Sequence, residues 1–218
     1  MHQIQRFILK ILTTNATARF AQLRPPRTDS NLFSYHLKVL LKEGLIEKNE
    51  KQYRLSPRGL GYADRISMAK FEPRQQPKIM TMTVLRRSDG RIFLMRREKQ
   101  PFIGMLTLPS GKVHLDDAGV REAAQRELLE KLGLTGADIS HKGDGYLRTY
   151  QGNELISSIF CHIFVGGVSK MDAERLRGKW LAAEEVEIYP EVAPGIAEAA
   201  HAALESKSGF FFEITKWL

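Results

Sequence analysis

The sequence is poor in the features that mark secreted, membrane-bound or disordered chains. One cysteine, Cys161, stands in 218 residues. No internal disulfide can therefore staple the fold, and a reducing compartment, the cytoplasm, is expected. No apolar run reaches the roughly 20 residues of a membrane span. The best of them, Leu155 to Val168, is broken by Ser157, Ser158 and His162. Arg6 and Lys10 interrupt the apolar residues near the N-terminus, which fits an amphipathic helix rather than a signal-peptide core. Internal repeats and low-complexity tracts are missing too. What is present is 43% hydrophobic residues, enough for ordinary packed cores.

Acidic residues are scarce in one region only. Residues 1–77 carry 14 Lys and Arg against 6 Asp and Glu, whereas residues 78–218 carry 19 of each. The whole net charge of +8 therefore sits on the first third. A field that uneven points to a polyanionic partner for that third, nucleic acid first, with solubility alone as the plain alternative. The punctuation agrees with a division there. Residues 67–77, with two prolines and no apolar period, read as a linker between a domain at 1–66 and another at 78–218.

In the first domain Ile4, Phe7, Ile8, Ile11 and Leu12 have helical spacing. Ala18 to Leu23 predicts a short second helix before Pro25 and Pro26. Asp29 and Ser30 cap a third helix whose buried stripe is Phe33, Leu37, Leu40 and Leu41, with Gly44 as its stop. The runs Leu45–Lys48 and Gln52–Leu55, around Asn49, Glu50 and Lys51, predict a hairpin, and Ser56-Pro57 starts a fourth helix. The segment SYHLKVLLKEGLIEK, followed by YRLSPRG, resembles bacterial winged helix-turn-helix regulators over residues 3–66. In that family the third helix enters the major groove. The resemblance thus implies DNA contacts from Asn31, Ser34, Tyr35 and Lys38, and phosphate contacts from Lys48, Lys51 and Arg54 on the wing. The plainer alternative is that Tyr35 and Lys38 merely solvate an exposed face, and some winged helices bind protein instead. His36 is expected to be packed and hydrogen-bonded rather than a ligand.

The second domain opens with a hairpin, Lys78–Arg87 and Arg91–Arg97 around Ser88-Asp89-Gly90. Then comes PFIGMLTLPSGKVHLDDAGVREAAQRELLEKLGL, residues 101–134. It resembles the Nudix box, G-x5-E-x7-R-E-U-x-E-E-x-G-U, through Gly111, Arg126, Glu127, Leu128, Glu130, Gly133 and Leu134. The likeness spans about residues 78–207. It implies an α+β chain: an N-terminal winged helix-turn-helix domain followed by a Nudix α/β/α sandwich.

The box's carboxylates share one helix face in that family and hold Mg²⁺ ions, which neutralise a diphosphate and activate water. Carried onto this chain, the resemblance makes Glu127, Glu130 and Arg126 the catalytic group. It makes Glu127, Glu130 and the Gly111 carbonyl the metal ligands, and puts Gly111, Lys112, Asp117 and Lys131 at the bound ligand. Three departures stand out. The early Glu is Asp117, one extra residue separates Asp117 from Arg126, and the second Glu of the E-E pair is Lys131. An ammonium offers Mg²⁺ no lone pair. Four residues after Glu127 it is well placed for a helix ion pair, so Lys131 is expected to stand where an ion would. Arg126 is expected to orient carboxylates, with Asp117 or Glu122 in reach. Cys161 and His162 on the long strand are most simply explained by packing; His114 in the box loop could touch a phosphate, though a loop histidine more often has no such job, and Phe102 could stack on a base or be buried in the core.

Two functional readings follow. One is a DNA-binding, homodimeric transcriptional regulator whose Nudix domain recognises a nucleoside-diphosphate-linked metabolite, ADP-ribose-like, with weakened hydrolysis. The other is an active Mg²⁺-dependent Nudix pyrophosphohydrolase, its base being a box carboxylate or one outside the box, such as Asp144 or Glu154. The apolar end of the chain, residues 209–218, is expected to dock on the Nudix core, the winged helix or a second subunit.

Overall fold

The computed structural model describes residues 1–67, 72–206 and 209–218, divided between two units, Met1–Gln75 and Gln76–Leu218. In the first, helix α1 (Gln3–Thr14) is capped by His2, whose ring accepts the amide of Ile4 while the Gln5 side chain reaches back to the His2 amide. A two-residue strand β1 (Ala18–Arg19) leads into a single helical turn, α2 (Phe20–Leu23). The helix expected over Ala18–Leu23 thus gives up its first two residues. Ala18 and Arg19 instead pair with Tyr53 and Gln52, where the wing supplies partners for their backbone groups.

Helix α3 (Ser30–Lys42) begins where the Asp29 carboxylate accepts the amides of Asn31 and Leu32. Strands β2 (Ile46–Asn49) and β3 (Gln52–Leu55) form the hairpin. Ser56 then caps α4 (Pro57–Ala63), accepting from Gly59, with Pro57 in the first turn. Three helices, a three-stranded wing in the order β1-β3-β2 and a closing helix make a winged helix-turn-helix. Its core is Ile4, Ile8, Leu9, Leu12, Leu23, Phe33, Leu37, Leu40, Ile46 and Leu55. Each such side chain contributes about 1.5–3 kcal/mol by leaving water. His36 is buried against this core and stacks on His2 at 4.0 Å between ring centroids. It is packed, as expected, but its Nδ1 lacks a hydrogen-bond partner among the described residues. Burial, then the neighbouring His2, lowers its pKa.

Of the expected linker, residues 68–71 lie outside the described residues. Strand β4 (Ile66–Ser67) pairs with β5 (Glu72–Pro73), and Glu72 meets Arg6 at 3.2 Å, so residue 72 belongs with the first unit.

The second unit is built on one mixed sheet. Strands β6 (Lys78–Arg86) and β7 (Ile92–Arg96) form the expected hairpin. Short strands β8 (Leu106–Thr107) and β9 (Ser110–Lys112) lie on β7 and β6. Helix α5 (Val120–Leu132) follows, then the long antiparallel pair β10 (Ile139–Gln151) and β11 (Glu154–Gly167). Beyond these come α6 (Lys170–Arg175), β12 (Lys179–Leu181), α7 (Ala183–Ile188), α8 (Ile196–Glu205) and β13 (Phe210–Trp217). The main strand order is β12-β7-β6-β11-β10-β13, with β11 parallel to β6 and β13 parallel to β10.

Period-2 alternation sorts β6 between two cores. Met80, Met82 and Val84 pack with Ala199, Ala200 and Ala203 of α8, while Leu85 packs with Ala124 and Leu128 of α5. The sheet thus lies between α5 on one face and α8 on the other, an α/β/α sandwich. The apolar end of the chain is the edge strand of this sheet. Phe210 and Phe212 turn into the α8-side core, where the Phe212 ring lies over Gly145, too close for any larger residue there. No helix among the described residues is long and apolar enough to cross a membrane.

Candidate functional site

Helix α5 carries the box. No side chain caps its start; the preceding loop is closed by Asp117, which accepts the His114 amide at 2.7 Å and takes a two-pronged ion pair from Arg126, at 2.8 and 3.0 Å. The guanidinium, and after it the His114 amide, hold the Asp117 carboxyl down to about 2. Asp117, and after it Glu127, raise Arg126 in turn. Arg126 also donates to the Lys112 carbonyl at 2.9 Å, to Glu127 at 3.0 Å and, at 3.4 Å, to Glu130. Glu122 is not among its partners; it sits instead beside Gly119. The extra residue of the loop is thus accommodated with Asp117 still on the arginine.

Glu127 is the buried acid of the site, 7% exposed. Its Oε1 faces Arg126 and its Oε2 faces Lys131 at 3.0 Å. Lys131 also donates to the Ser110 carbonyl. Its ammonium therefore bridges the helix and strand β9. Gly111 makes that closeness possible: a Cβ built there would collide with the Glu127 carboxyl group. Glu130, one turn along, keeps a largely exposed side chain.

These groups line a cavity of about 550 Å³, bounded also by Arg96, Arg97, Lys99, Lys112 and His114. That size suits a small ligand. Burial first, and after it the neighbouring Arg97 and Lys112, lower Lys78, which lies beside these cations without lining the cavity. Arg97 itself donates to the Pro101 carbonyl, and burial lowers it. Of the four residues expected at a bound ligand, Gly111, Lys112 and Lys131 come together here, whereas Asp117 is held on Arg126 and does not line the cavity. The sequence reading passed over Ser110, whose backbone carbonyl no sequence pattern advertises. It also passed over Lys78 and Arg97, which could have been flagged only as strand-end cations. Phe102 packs against the α8-side core and lines a separate shallow pocket. Glu154 begins β11, exposed at the far hairpin turn. Asp144 is held by two histidines, at 3.0 Å from His141 and 2.7 Å from His162. A larger concavity, about 690 Å³, lies along α7, α8 and the end of β13. Among its charged groups, Lys216 pairs with Glu198 and His201 with Glu205.

On the first unit, Asn31, Tyr35 and Lys38 are exposed on α3 and Ser34 is half-buried. Tyr35 leaves 62% of its surface to solvent, its ring edge-on to His36 at 5.1 Å. Lys48, Lys51 and Arg54 are exposed on the wing. Lys48 lies over the Tyr53 ring at 5.8 Å, and Arg54 pairs with Glu47 at 2.5 Å. Arg54 is the one wing cation of the three that would have to exchange a partner to reach a phosphate.

A family model described as a NUDIX domain matches residues 77–202. No curated protein sequence matches the chain. Among solved structures, the chain is similar to NrtR of Shewanella oneidensis, with a TM-score of 0.48 and 19% identity over 59% of this chain and 62% of that one. The chain thus spans less than two thirds of that protein. The NUDIX domain of the same NrtR, solved with ADP ribose, gives a TM-score of 0.49 and 16% identity over 67% of this chain and 96% of that one. A MutT protein from Methanosarcina mazei Go1 gives 0.48 and 21% over 62% of this chain and 99% of that one. At these identities a likeness says nothing of activity or partners.

Proposed function

The chain belongs to the Nudix family, and from that premise we propose that it is a DNA-binding transcriptional regulator. On this reading its Nudix domain binds a nucleoside-diphosphate-linked metabolite of the ADP-ribose kind, with hydrolysis weakened. The observation that carries the proposal is the seat of Lys131, its ammonium against Glu127 Oε2 at 3.0 Å and on the Ser110 carbonyl. A cation already neutralises the buried acid, and Arg126 occupies its other oxygen. Mg²⁺ requires oxygen ligands with free lone pairs at about 2.0–2.1 Å. The residues present therefore do not fit the multi-ion magnesium centre that the family implies. Glu130 is left as the one accessible box acid, with Arg126 3.4 Å away.

The cavity's other cations favour an anion. Lys99, Lys112 and Arg97 around the cavity would help neutralise a diphosphate without an ion, while Lys131 cancels Glu127 and Arg96 pairs with Glu191, and Gly111 leaves the backbone close to it. Recognition of the nucleoside then falls to the cavity's remaining walls. Binding energy spent this way holds ligand without selectively stabilising a transition state.

DNA binding is supported by the +8 charge confined to residues 1–77 and by the solvent-facing polar row of α3, Asn31, Tyr35 and Lys38. Two copies in a homodimer would read two half-sites. A metabolite that prefers one arrangement of the dimer over another would change DNA affinity by that preference and no more.

The test is a gel shift with the native upstream DNA, with and without ADP-ribose, together with a turnover assay in Mg²⁺. A specific shift that weakens steeply as salt rises, altered by ADP-ribose, is the expected result. Absence of any shift at low salt would discard the regulator. Turnover at ordinary enzyme rates, roughly 1–1000 per second, would replace the sensor with the active hydrolase.

A further inference from the structure

We propose that His141, Asp144 and His162 form a binding site for a first-row transition cation, Zn²⁺ by preference, separate from the box carboxylates. The arrangement depends on an irregularity. Residues three apart on a regular strand face opposite sides of a sheet. Strand β10 has a register shift between His141 and Gly143, where His141 pairs with Phe164 and Gly143 with Ile163. The extra residue, Lys142, is absorbed there, and His141 and Asp144 emerge on the same face. On β11, His162 is the residue directly opposite Asp144.

The three side chains converge. His141 Nε2 lies 3.0 Å from Asp144 Oδ1, and His162 Nδ1 lies 2.7 Å from the same oxygen. One ligand atom from each residue lies within 4.8 Å of the others. Zinc bonds of about 2.0–2.2 Å in tetrahedral geometry separate ligands by about 3.4 Å. Seating an ion therefore asks the two imidazole–carboxylate separations to open by about 0.4 and 0.7 Å, with the two imidazole nitrogens already within 4.8 Å of each other. The rings are steadied by aromatic neighbours: His141 sits edge-on to Phe164 at 5.4 Å, and His162 edge-on to Phe160 at 5.7 Å. The site is open on one side, with the His141, Asp144 and His162 side chains 45%, 33% and 23% exposed, which leaves room for water in the fourth position.

The donor set decides the class of ion. Two imidazole nitrogens and one carboxylate oxygen suit Zn²⁺ and its first-row neighbours, whereas Mg²⁺ and Ca²⁺ want oxygen throughout. Three protein ligands plus a solvent position is the pattern of open rather than purely structural zinc sites. The location adds interest. Gly111, Thr81, His162 and Asp144 form one row across β9, β6, β11 and β10. Thr81, beside His162 in that row, is buried with a hydroxyl that has no partner among the described residues.

The experiment uses the untagged full-length protein, stripped by chelator and titrated with Co²⁺. The readout is the visible ligand-field absorption, followed by displacement with Zn²⁺ and metal analysis. The expected result is one ion per chain, with Asp144→Asn and His141→Ala each weakening binding by at least about tenfold and Mg²⁺ failing to compete. The doubly substituted Glu127→Gln/Glu130→Gln protein should keep the signal. Because the His141 ring is half exposed, His141→Ala is the variant least prone to misfold, and circular dichroism checks each one. Absence of the cobalt spectrum in folded wild type would overturn the site. So would wild-type uptake by His141→Ala, or loss of uptake in the Glu127→Gln/Glu130→Gln protein.

Discussion

Two acids on the same face of the Nudix sheet have opposite kinds of company. Glu127, on helix α5, has a guanidinium on one oxygen and an ammonium on the other. Asp144, on strand β10, has two imidazoles. The first pair of partners is permanently cationic and has no lone pair to share, while an imidazole can give up its proton and turn its nitrogen to a metal. A carboxylate's fitness for metal is thus decided less by the acid than by whether its neighbours can change role.

The comparison can be broken or sharpened by substitution. The largest effect is expected from Lys131→Glu. A unit charge about 4 Å away is worth about 4 kcal/mol at an effective dielectric near 20. Reversing its sign should raise Mg²⁺ affinity at the box by at least about tenfold, which needs only about 1.4 kcal/mol. Calorimetric titration with Mg²⁺ checks this. An unchanged affinity would mean that Lys131 is not what closes the box.

Gly111→Ala should come next. The new methyl collides with the Glu127 carboxyl group, and overpacking of this kind costs about 1–3 kcal/mol. Thermal denaturation should show the loss, and binding of ADP-ribose should weaken with it. A melting temperature equal to wild type would show that Glu127 swings freely and is not pinned between its two cations.

A smaller effect is expected in acid from Asp117→Asn. The folded-state pKa of Asp117 is depressed to about 2, so its ion pair contributes stability in full above the unfolded value, near 4. That contribution is lost as pH falls from there through the folded value. The stability difference between wild type and Asp117→Asn should therefore be constant above pH ~5 and shrink toward zero near pH ~2. Melting curves across that window measure it, and a difference that persists undiminished at the acid end would place the effect elsewhere than the Arg126 pair.

The smallest is kinetic. Cys161, next to His162 but turned to the other side of β11, is fully buried, and burial pushes its thiol up to about 12. A thiol reagent should label it only as fast as the strand opens, and at once in denaturant. Rapid labelling of the native protein would mean that β11 does not hold its residues, His162 included, in a fixed register.

Local signals carried most of the fold. Asp29 announces α3 because its carboxylate takes up amides the helix cannot satisfy, and Ser56-Pro57 announces α4 by the same logic. Ala18 and Arg19 went unread as a strand because their partners, Tyr53 and Gln52, lie far along the chain. At the box, Glu127 and Lys131 were legible as a pair through helical spacing alone. The Ser110 carbonyl was not, since backbone groups leave no trace in residue identity. His141 and Asp144 were hidden for a different reason: spacing assigns them to opposite faces, and only the shift at Lys142 reverses that.

Strand β13 lies parallel to β10, and between the two in sequence come β11, α6, β12, α7 and α8. Such a partnership is reached only after a long stretch of intervening chain is made, and closing so large a loop is slow. During synthesis the sheet therefore waits with β10 bare along one side until residue 217 has cleared the ribosome. In that interval the newborn domain presents an unsatisfied edge to any passing strand.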